Sequence, residues 1–458
     1  MNKTTLPLII GLTLGSISNF ASGENLQDVY QLALEKDPQV LRAAANVDVN
    51  KEGIIQARAS LYPNISMSLG AEKGVTRGSS MVANPVTGID ERVYSRGESI
   101  TTNYGFSLTQ EVFNLSTWQN LEQAEKTSLQ TIATYEQAKQ SLITRVSDVY
   151  FAVLKAQDDL ELADAEKNAI ERQLEQTNQR FKVGLTAITD VHEAQSSFDA
   201  SVARVIRAKN NVEIQKEILR EITGKYHANL AVLNTERFST SKLNQSPEDW
   251  VSIAQTNNQE LQAQTIAMDI AKNNIDIAFS GHLPTVSLSM SKGRRDVNAV
   301  EERAAGVTER SNPFPGDSKS IGLSVSVPIF SGFATDSRVK QAQARYVVAS
   351  EDRELTYRRI VRTVRTSYAN VLTLISTIKA QEQAVISAES ALKATEAGFE
   401  VGTRTIVDVL NSTQALFSAK RNLSSSRYDY ILAVLQLKQA AGTIKDSDVA
   451  DISQGLQE

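Results

Sequence analysis

Residues 180–191 read Arg180-Phe181-Lys182-Val183-Gly184-Leu185-Thr186-Ala187-Ile188-Thr189-Asp190-Val191. A second version, Gly398-Phe399-Glu400-Val401-Gly402-Thr403-Arg404-Thr405-Ile406-Val407-Asp408-Val409, follows 218 residues later. Each copy is a helical run, an isolated Gly, a Thr, and a new helical run with Asp in its opening turns. A Gly just past a helix supplies the left-handed residue that ends it, and a following Thr is suited to cap the next helix. Each copy therefore reads as the tip of a helical hairpin. Two tips in one chain point to an internal duplication.

Outward from the first tip, residues 115–183 contain neither Gly nor Pro. A helix of that length spans roughly 100 Å at about 1.5 Å per residue, far more than a globular domain needs. A return helix is expected from Ala187 to Ile222. The second half follows the same plan, with a Gly- and Pro-free helix over residues 334–397 and a last helix over 405–440. That last helix places Ile406, Val409, Leu410, Thr413, Leu416 and Phe417 on one face. Pro63 and Pro284, Gly105 and Gly322, Phe113 and Phe330, Tyr150 and Tyr368, and Gly224 and Gly442 all repeat at offsets of 217–221 residues. The chain thus divides into residues 24–244 and 245–458, joined through a less regular segment from Gly224 to Pro247. Near the start of the first half, helix is expected over about 27–60 with a junction at Pro38.

Between the helices the hydrophobic period changes to two. Ile65, Met67, Leu69 and Ala71 alternate with polar residues, as do Tyr104, Phe106, Leu108 and Val112. Val286, Leu288 and Met290 do the same, and so do Ile321, Leu323, Val325, Val327 and Ile329. These predict strands over about 64–71, 100–113, 285–291 and 320–330, each with one apolar and one polar face. The polar segments 72–99 and 292–320 read as long exposed loops.

Composition narrows the classes. A formal charge of −5 and no basic stripe argue against nucleic acid as a partner. The absence of cysteine excludes disulfides, thiolate metal sites and cysteine nucleophiles. Met1-Asn2-Lys3, the apolar run Leu6 to Ile17 and the small residues Ala21-Ser22-Gly23 predict an export signal over residues 1–23. No later segment approaches the ~18 apolar residues of a spanning helix. Any membrane crossing must use strands, and four strands are too few: closed membrane barrels start at about eight. An open sheet in hydrocarbon leaves edge amides and carbonyls unpaired, so strands must be shared between copies of the chain. Slender rods with narrow apolar stripes likewise need neighbouring rods.

The residues that complete this pattern carry a resemblance. Gln173-Leu174 through Gln179-Arg180-Phe181, Val183-Gly184-Leu185, Ala187 to Val191, Gly281-His282-Leu283-Pro284 and Val401 to Leu410 resemble the TolC family of outer-membrane efflux proteins. The likeness covers essentially the whole chain from Glu24. It implies a homotrimer whose twelve-stranded outer-membrane β-barrel continues into a long periplasmic α-helical barrel, with no cofactor. It also implies partners: the lipid of the outer membrane, a periplasmic adaptor, and an inner-membrane pump of the RND, ABC or MFS type. The gate lies at the periplasmic tip, where Arg404 matches the family's gate arginine. Thr189 and Asp190 match its partners on the neighbouring hairpin, and Asp408 matches its aperture aspartate. Gln173 and Glu396 match further hydrogen-bonding positions. Gly184, Leu185, Gly402 and Thr403 mark the tips where an adaptor docks. A ring of three Asp408 side chains, though not a structural metal centre, would attract cations. Two departures stand out: Asn411 replaces a second aperture aspartate, and Phe399 replaces a gate tyrosine and so lacks its hydroxyl. Physically, Asp190 and Asp408 also suit helix N-termini, whereas Arg404 has the wrong sign for a first turn unless a carboxylate answers it.

Two other classes compete. An enzyme finds little support: His192, His227 and His282 stand in unrelated contexts, His192-Glu193 lacks the second histidine of a zinc-protease helix, and Thr223-Gly224-Lys225 lacks the upstream Gly of a phosphate loop. A soluble periplasmic coiled-coil adaptor would explain the helices but not four alternating strands.

Overall fold

The computed structural model describes residues 23–457 except 85, 236–237, 242 and 304–306. The expected export signal, Gly23 apart, lies outside the described residues. The chain opens with α1 (Leu26–Lys36) and α2 (Pro38–Ala59), then β1 (Asn64–Ala83) and β2 (Asp90–Phe113). The long rod α3 (Leu115–Lys182) and its return α4 (Ile188–Thr223) follow. After the short β3 (Val232–Leu233) come α5 (Pro247–Asn257), α6 (Gln259–Phe279), β4 (Thr285–Arg303) and β5 (Val307–Ser326). The second rod α7 (Ala334–Glu400), its return α8 (Ile406–Ala440), α9 (Asp446–Gln454) and β6 (Leu456–Gln457) complete the chain. At 68 residues, α3 runs about 100 Å.

The expected helices recur within a few residues of their bounds, including the break at Pro38. Asp37 explains that break: its carboxylate accepts from the amides of Gln39 and Val40, each at 2.9 Å, and so starts α2. Arg145 of α3 reaches the same oxygen at 3.0 Å.

The strand expectation needs correction. The segments 72–99 and 292–320 are mostly strand rather than loop, because pairing continues where apolar alternation stops. β1 pairs with β2 from Asn64↔Thr109 out to Ala83↔Asp90, and β4 with β5 from Thr285↔Ser326 out to Arg303↔Val307. A ladder needs only backbone partners; the side-chain pattern reports what each face meets. The fourth strand is also shorter at its end, stopping at Ser326, since Pro328 has no amide to give.

Two compact units emerge, each drawing on both halves of the sequence. One comprises residues up to Ala43, Tyr135–Gln259 and Tyr357–Glu458; the other comprises Ala44–Thr134 and Glu260–Thr356. In the second unit the strands form one antiparallel sheet, β1-β2-β4-β5, with β1 and β5 at its edges. One face presents Ile65, Met67, Leu69, Phe106, Ile321, Leu323 and Val325, all exposed.

The first unit holds the core. Leu26, Tyr30 and Ala33 pack with Leu142, Tyr150, Phe151 and Leu154 of α3, Leu219 of α4, and Tyr428 and Leu435 of α8. The Tyr150 hydroxyl donates to the Ala231 carbonyl at 2.8 Å, closing the core beneath the segment after α4. His227 is buried there between Thr223 and Glu24, a structural role. Partial burial raises the Glu24 carboxyl, but hydrogen bonds from Lys225 and His227 outweigh it and hold it below the usual range.

The rods lack Pro, and Gly but for Gly398 near the end of α7, and are rich in hydroxyls turned back on the helix. Thr127, Thr131, Thr134, Thr144 and Thr177 of α3 each donate to the carbonyl four residues earlier. Thr363, Thr373, Ser376, Ser390 and Thr395 of α7 do the same.

Candidate functional site at the helical tips

Both tips end their rods in the same way. Gly184 has φ 75° and Gly402 φ 80°, conformations that a side chain disfavours. At the first tip the amides of Gly184 and Leu185 reach back to the carbonyls of Phe181 and Arg180, at 2.9 and 2.8 Å. At the second, Gly402 and Thr403 reach Phe399 and Gly398, at 3.2 and 2.8 Å. Each is a paired six-to-one and five-to-two termination that satisfies the last carbonyls of the rod.

The return helices start differently. Thr405 caps α8: its hydroxyl accepts from the Asp408 amide at 3.3 Å, and the Asp408 carboxylate accepts from the Thr405 amide at 2.9 Å. These bonds from Thr405, backbone first, with Arg404 nearby, hold the Asp408 carboxyl below its ordinary value. The corresponding residue in α4 is Ala187, which has no side-chain acceptor. The expected Thr cap is therefore displaced by one residue: Thr186 hydrogen-bonds the Asp190 carboxylate instead of the backbone.

Beneath the tips lies a small core of its own. Ile170 and Leu174 of α3, Ala194 and Phe198 of α4, Leu392 and Phe399 of α7, and Ile406, Val409 and Leu410 of α8 pack together. Phe399 is 6 % exposed, and the Arg180 guanidinium lies over its ring at 4.7 Å. The Phe399 ring is thus held by burial and stacking. Its counterpart Phe181 in the first tip is 41 % exposed.

Other site residues fall as follows. Gln173 donates to Glu396 at 3.4 Å, joining α3 to α7. Thr189, Arg404 and Asn411 are exposed, and Asp190 and Asp408 are half-buried. Arg404 does not reach Asp190 within the chain; among the described residues it makes no ion pair. Its stem lies against Gly398, where a Cβ would come within 2.7 Å of the Arg404 Cγ. Leu185, Val183 and Val401 stand exposed at the ends of the hairpins.

One cluster escaped the sequence reading. Glu166 of α3, 1 % exposed, accepts both carboxylate contacts from Arg204 of α4 at 2.5 and 2.6 Å, and another from Arg421 of α8 at 2.9 Å. A cavity of about 90 Å³ beside it is lined by Ser197, Ser201, Asn411 and Gln414. The signal was present: Glu166 occupies the buried stripe of α3, three residues after Ala163 and four before Ile170, where a lone carboxylate demands a partner.

Comparison with known proteins identifies what these tips belong to. The family model described as "Outer membrane efflux protein" matches residues 29–225 and again 250–443. The chain is 44 % identical to the outer membrane protein TolC of Vibrio cholerae over 99 % of each chain. It is 29 % identical to the alkaline protease secretion protein AprF of Pseudomonas aeruginosa, over 94 % of this chain and 86 % of that one. Its fold matches the Campylobacter jejuni CmeC outer membrane channel with a TM-score of 0.73 at 16 % identity, over 100 % of this chain and 98 % of that one. A family model that matches both halves and a relative alike from end to end agree with the tip geometry: the chain is an outer-membrane protein and belongs to the outer membrane efflux protein family.

Proposed function

We propose that three copies of the chain assemble into an exit duct that carries drugs, small toxic molecules or unfolded proteins from an inner-membrane pump to the exterior. The observation that carries this reading is the sheet. One face carries an exposed apolar stretch at the end of the sheet nearer the helices, yet β1 and β5 are both open edges. In lipid those edges must pair, and copies of the same chain supply the partners. Twelve strands close the barrel, and the rods α3, α4, α7 and α8 bury their narrow stripes against their neighbours in a periplasmic tube. The protein does no covalent chemistry; it supplies a passage.

The tips form the gate. Asp190, held by Thr186, faces the Arg404 of the next subunit, with Thr189 as a second acceptor. Three Asp408 carboxylates, ionised through their caps, ring the axis and favour cations at the entrance, while Asn411 leaves that ring weaker than two aspartates would. Exposed Val183, Leu185 and Val401 offer an adaptor its apolar foothold. The test is direct: membranes from cells expressing the chain should yield a heat-resistant trimer in the outer-membrane fraction that forms cation-selective channels in planar bilayers. A soluble periplasmic monomer would instead support the coiled-coil adaptor reading.

A further inference from the structure

On the apolar face of the sheet, β4 and β5 are matched rung by rung: Val286 opposite Val325, Leu288 opposite Leu323, Met290 opposite Ile321. The next rung on that face is Lys292 opposite Lys319, and the one after is Arg294 opposite Asp317. Side chains alternate along a strand, so all these pairs share one face. Beside them on β2, Phe106 pairs with Lys292 and Tyr104 with Arg294; both rings are exposed.

Two lysines directly opposed in an antiparallel ladder repel each other and weaken the pairing. Nearby basic groups on this face have answers. Arg294 meets Asp296 at 3.1 Å, and Lys73 and Arg96 share Glu98 at 3.4 and 2.7 Å. Lys292 and Lys319 have none: among the described residues no carboxylate lies within ion-pair distance of either. Both are exposed.

Their height on the sheet says what covers them. Ile321, Leu323, Val325, Val327 and Ile329 are all exposed. That run of nine residues, its last three lying past the end of β5, is close to the ~9–11 residues of a membrane strand. Lys319 begins where the apolar run stops, toward the ends of β4 and β5 that lie away from α6 and α7. With the helices in the periplasm, that edge meets the outer leaflet.

We propose that Lys292 and Lys319 clamp the phosphate of a phosphorylated glycolipid in the outer leaflet. Its acyl chains lie over Met290, Ile321 and Leu108, and Phe106 borders the headgroup. Two ammonium groups bring six donors to a group with about two negative charges and three acceptor oxygens. The anion turns a repulsive rung into a bound one. The assignment rests on closure of the sheet in the outer membrane, and the conductance of the same preparations reports separately on that reading.

The experiment titrates the full-length trimer in detergent with bisphosphorylated lipid A, the same lipid without phosphates, phosphatidylcholine and inorganic phosphate, following bound lipid by native mass spectrometry. Wild type should retain bisphosphorylated lipid A selectively. Lys292→Gln/Lys319→Gln should bind it about thirtyfold more weakly, at roughly a factor of five per lysine. Lys292→Arg/Lys319→Arg and the control Lys340→Gln on α7 should stay near wild type. Unchanged binding by the Gln pair, equal binding of the dephosphorylated lipid, or saturation by inorganic phosphate alone would each overturn the assignment.

Discussion

The two hairpin tips share one backbone and divide the labour between their side chains. Both end a rod on a left-handed glycine, at Gly184 and Gly402, and both carry an Asp at the third position of the return helix. In the second tip that Asp is committed to its own helix, as half of the cap with Thr405. In the first, Ala187 leaves the cap empty, and Asp190 is held only by the hydroxyl of Thr186. The cation positions are reversed as well. The first tip turns Arg180 onto Phe399 of the second, whereas the second has Gly398 in that place and lays Arg404 across it. One copy thus presents a carboxylate outside any helix cap and the other a guanidinium without an ion pair among the described residues. Duplication supplied two like tips, and a few substitutions have made their side chains differ.

The largest test of this contrast separates the two arginines. Arg404→Ser should raise single-channel conductance severalfold and let antibiotics leak in, because it removes the latch proposed between subunits. Arg180→Ser should loosen the Phe399 packing with a much smaller gain; equal gains from both would dissolve the distinction. Next in size is Glu166→Gln, which leaves the Arg204 and Arg421 guanidinium groups facing a neutral amide. Removing one partner of a buried ionic cluster costs about 3–5 kcal/mol, so early protease cutting of the α4 hairpin is expected. Asp408→Ala should abolish block by divalent cations in bilayer recordings, while Asp190→Ala should keep it.

Smaller still are the caps. Thr405→Ala should cost about 1 kcal/mol at the start of α8, and Ala187→Thr should gain a similar amount at the start of α4, read as amide exchange in the first turns. The cap also predicts a pH dependence. The Asp408 carboxyl lies below its ordinary 3.8 in the folded chain, so its contribution is complete above that value and fades as pH falls through the lower folded one. Exchange at the start of α8 should quicken over that acid window and not near neutrality.

How far the sequence disclosed this can be argued from particular residues. The rods were legible because long runs without Gly or Pro permit little else, and the tips because a lone Gly followed by Thr and Asp is local chemistry. The outer halves of the strands were not. From Glu72 to Ser99 polar residues stand on both faces, so no alternation marks the ladder that the backbone continues there. The buried Glu166 escaped because its partners come from α4 and α8, 38 and 255 residues away, a distance no local pattern spans. The cap that failed at Ala187 escaped for a subtler reason: the two Thr residues looked equivalent until register placed one of them a step too early.

The hydroxyls folded back along α3 and α7 have one further consequence. Each such bond competes with the helix's own ladder and tilts it slightly, and Thr127, Thr131, Thr134 and Thr144 apply that bias over several turns in place of one kink. Bending spread over many residues needs no joint.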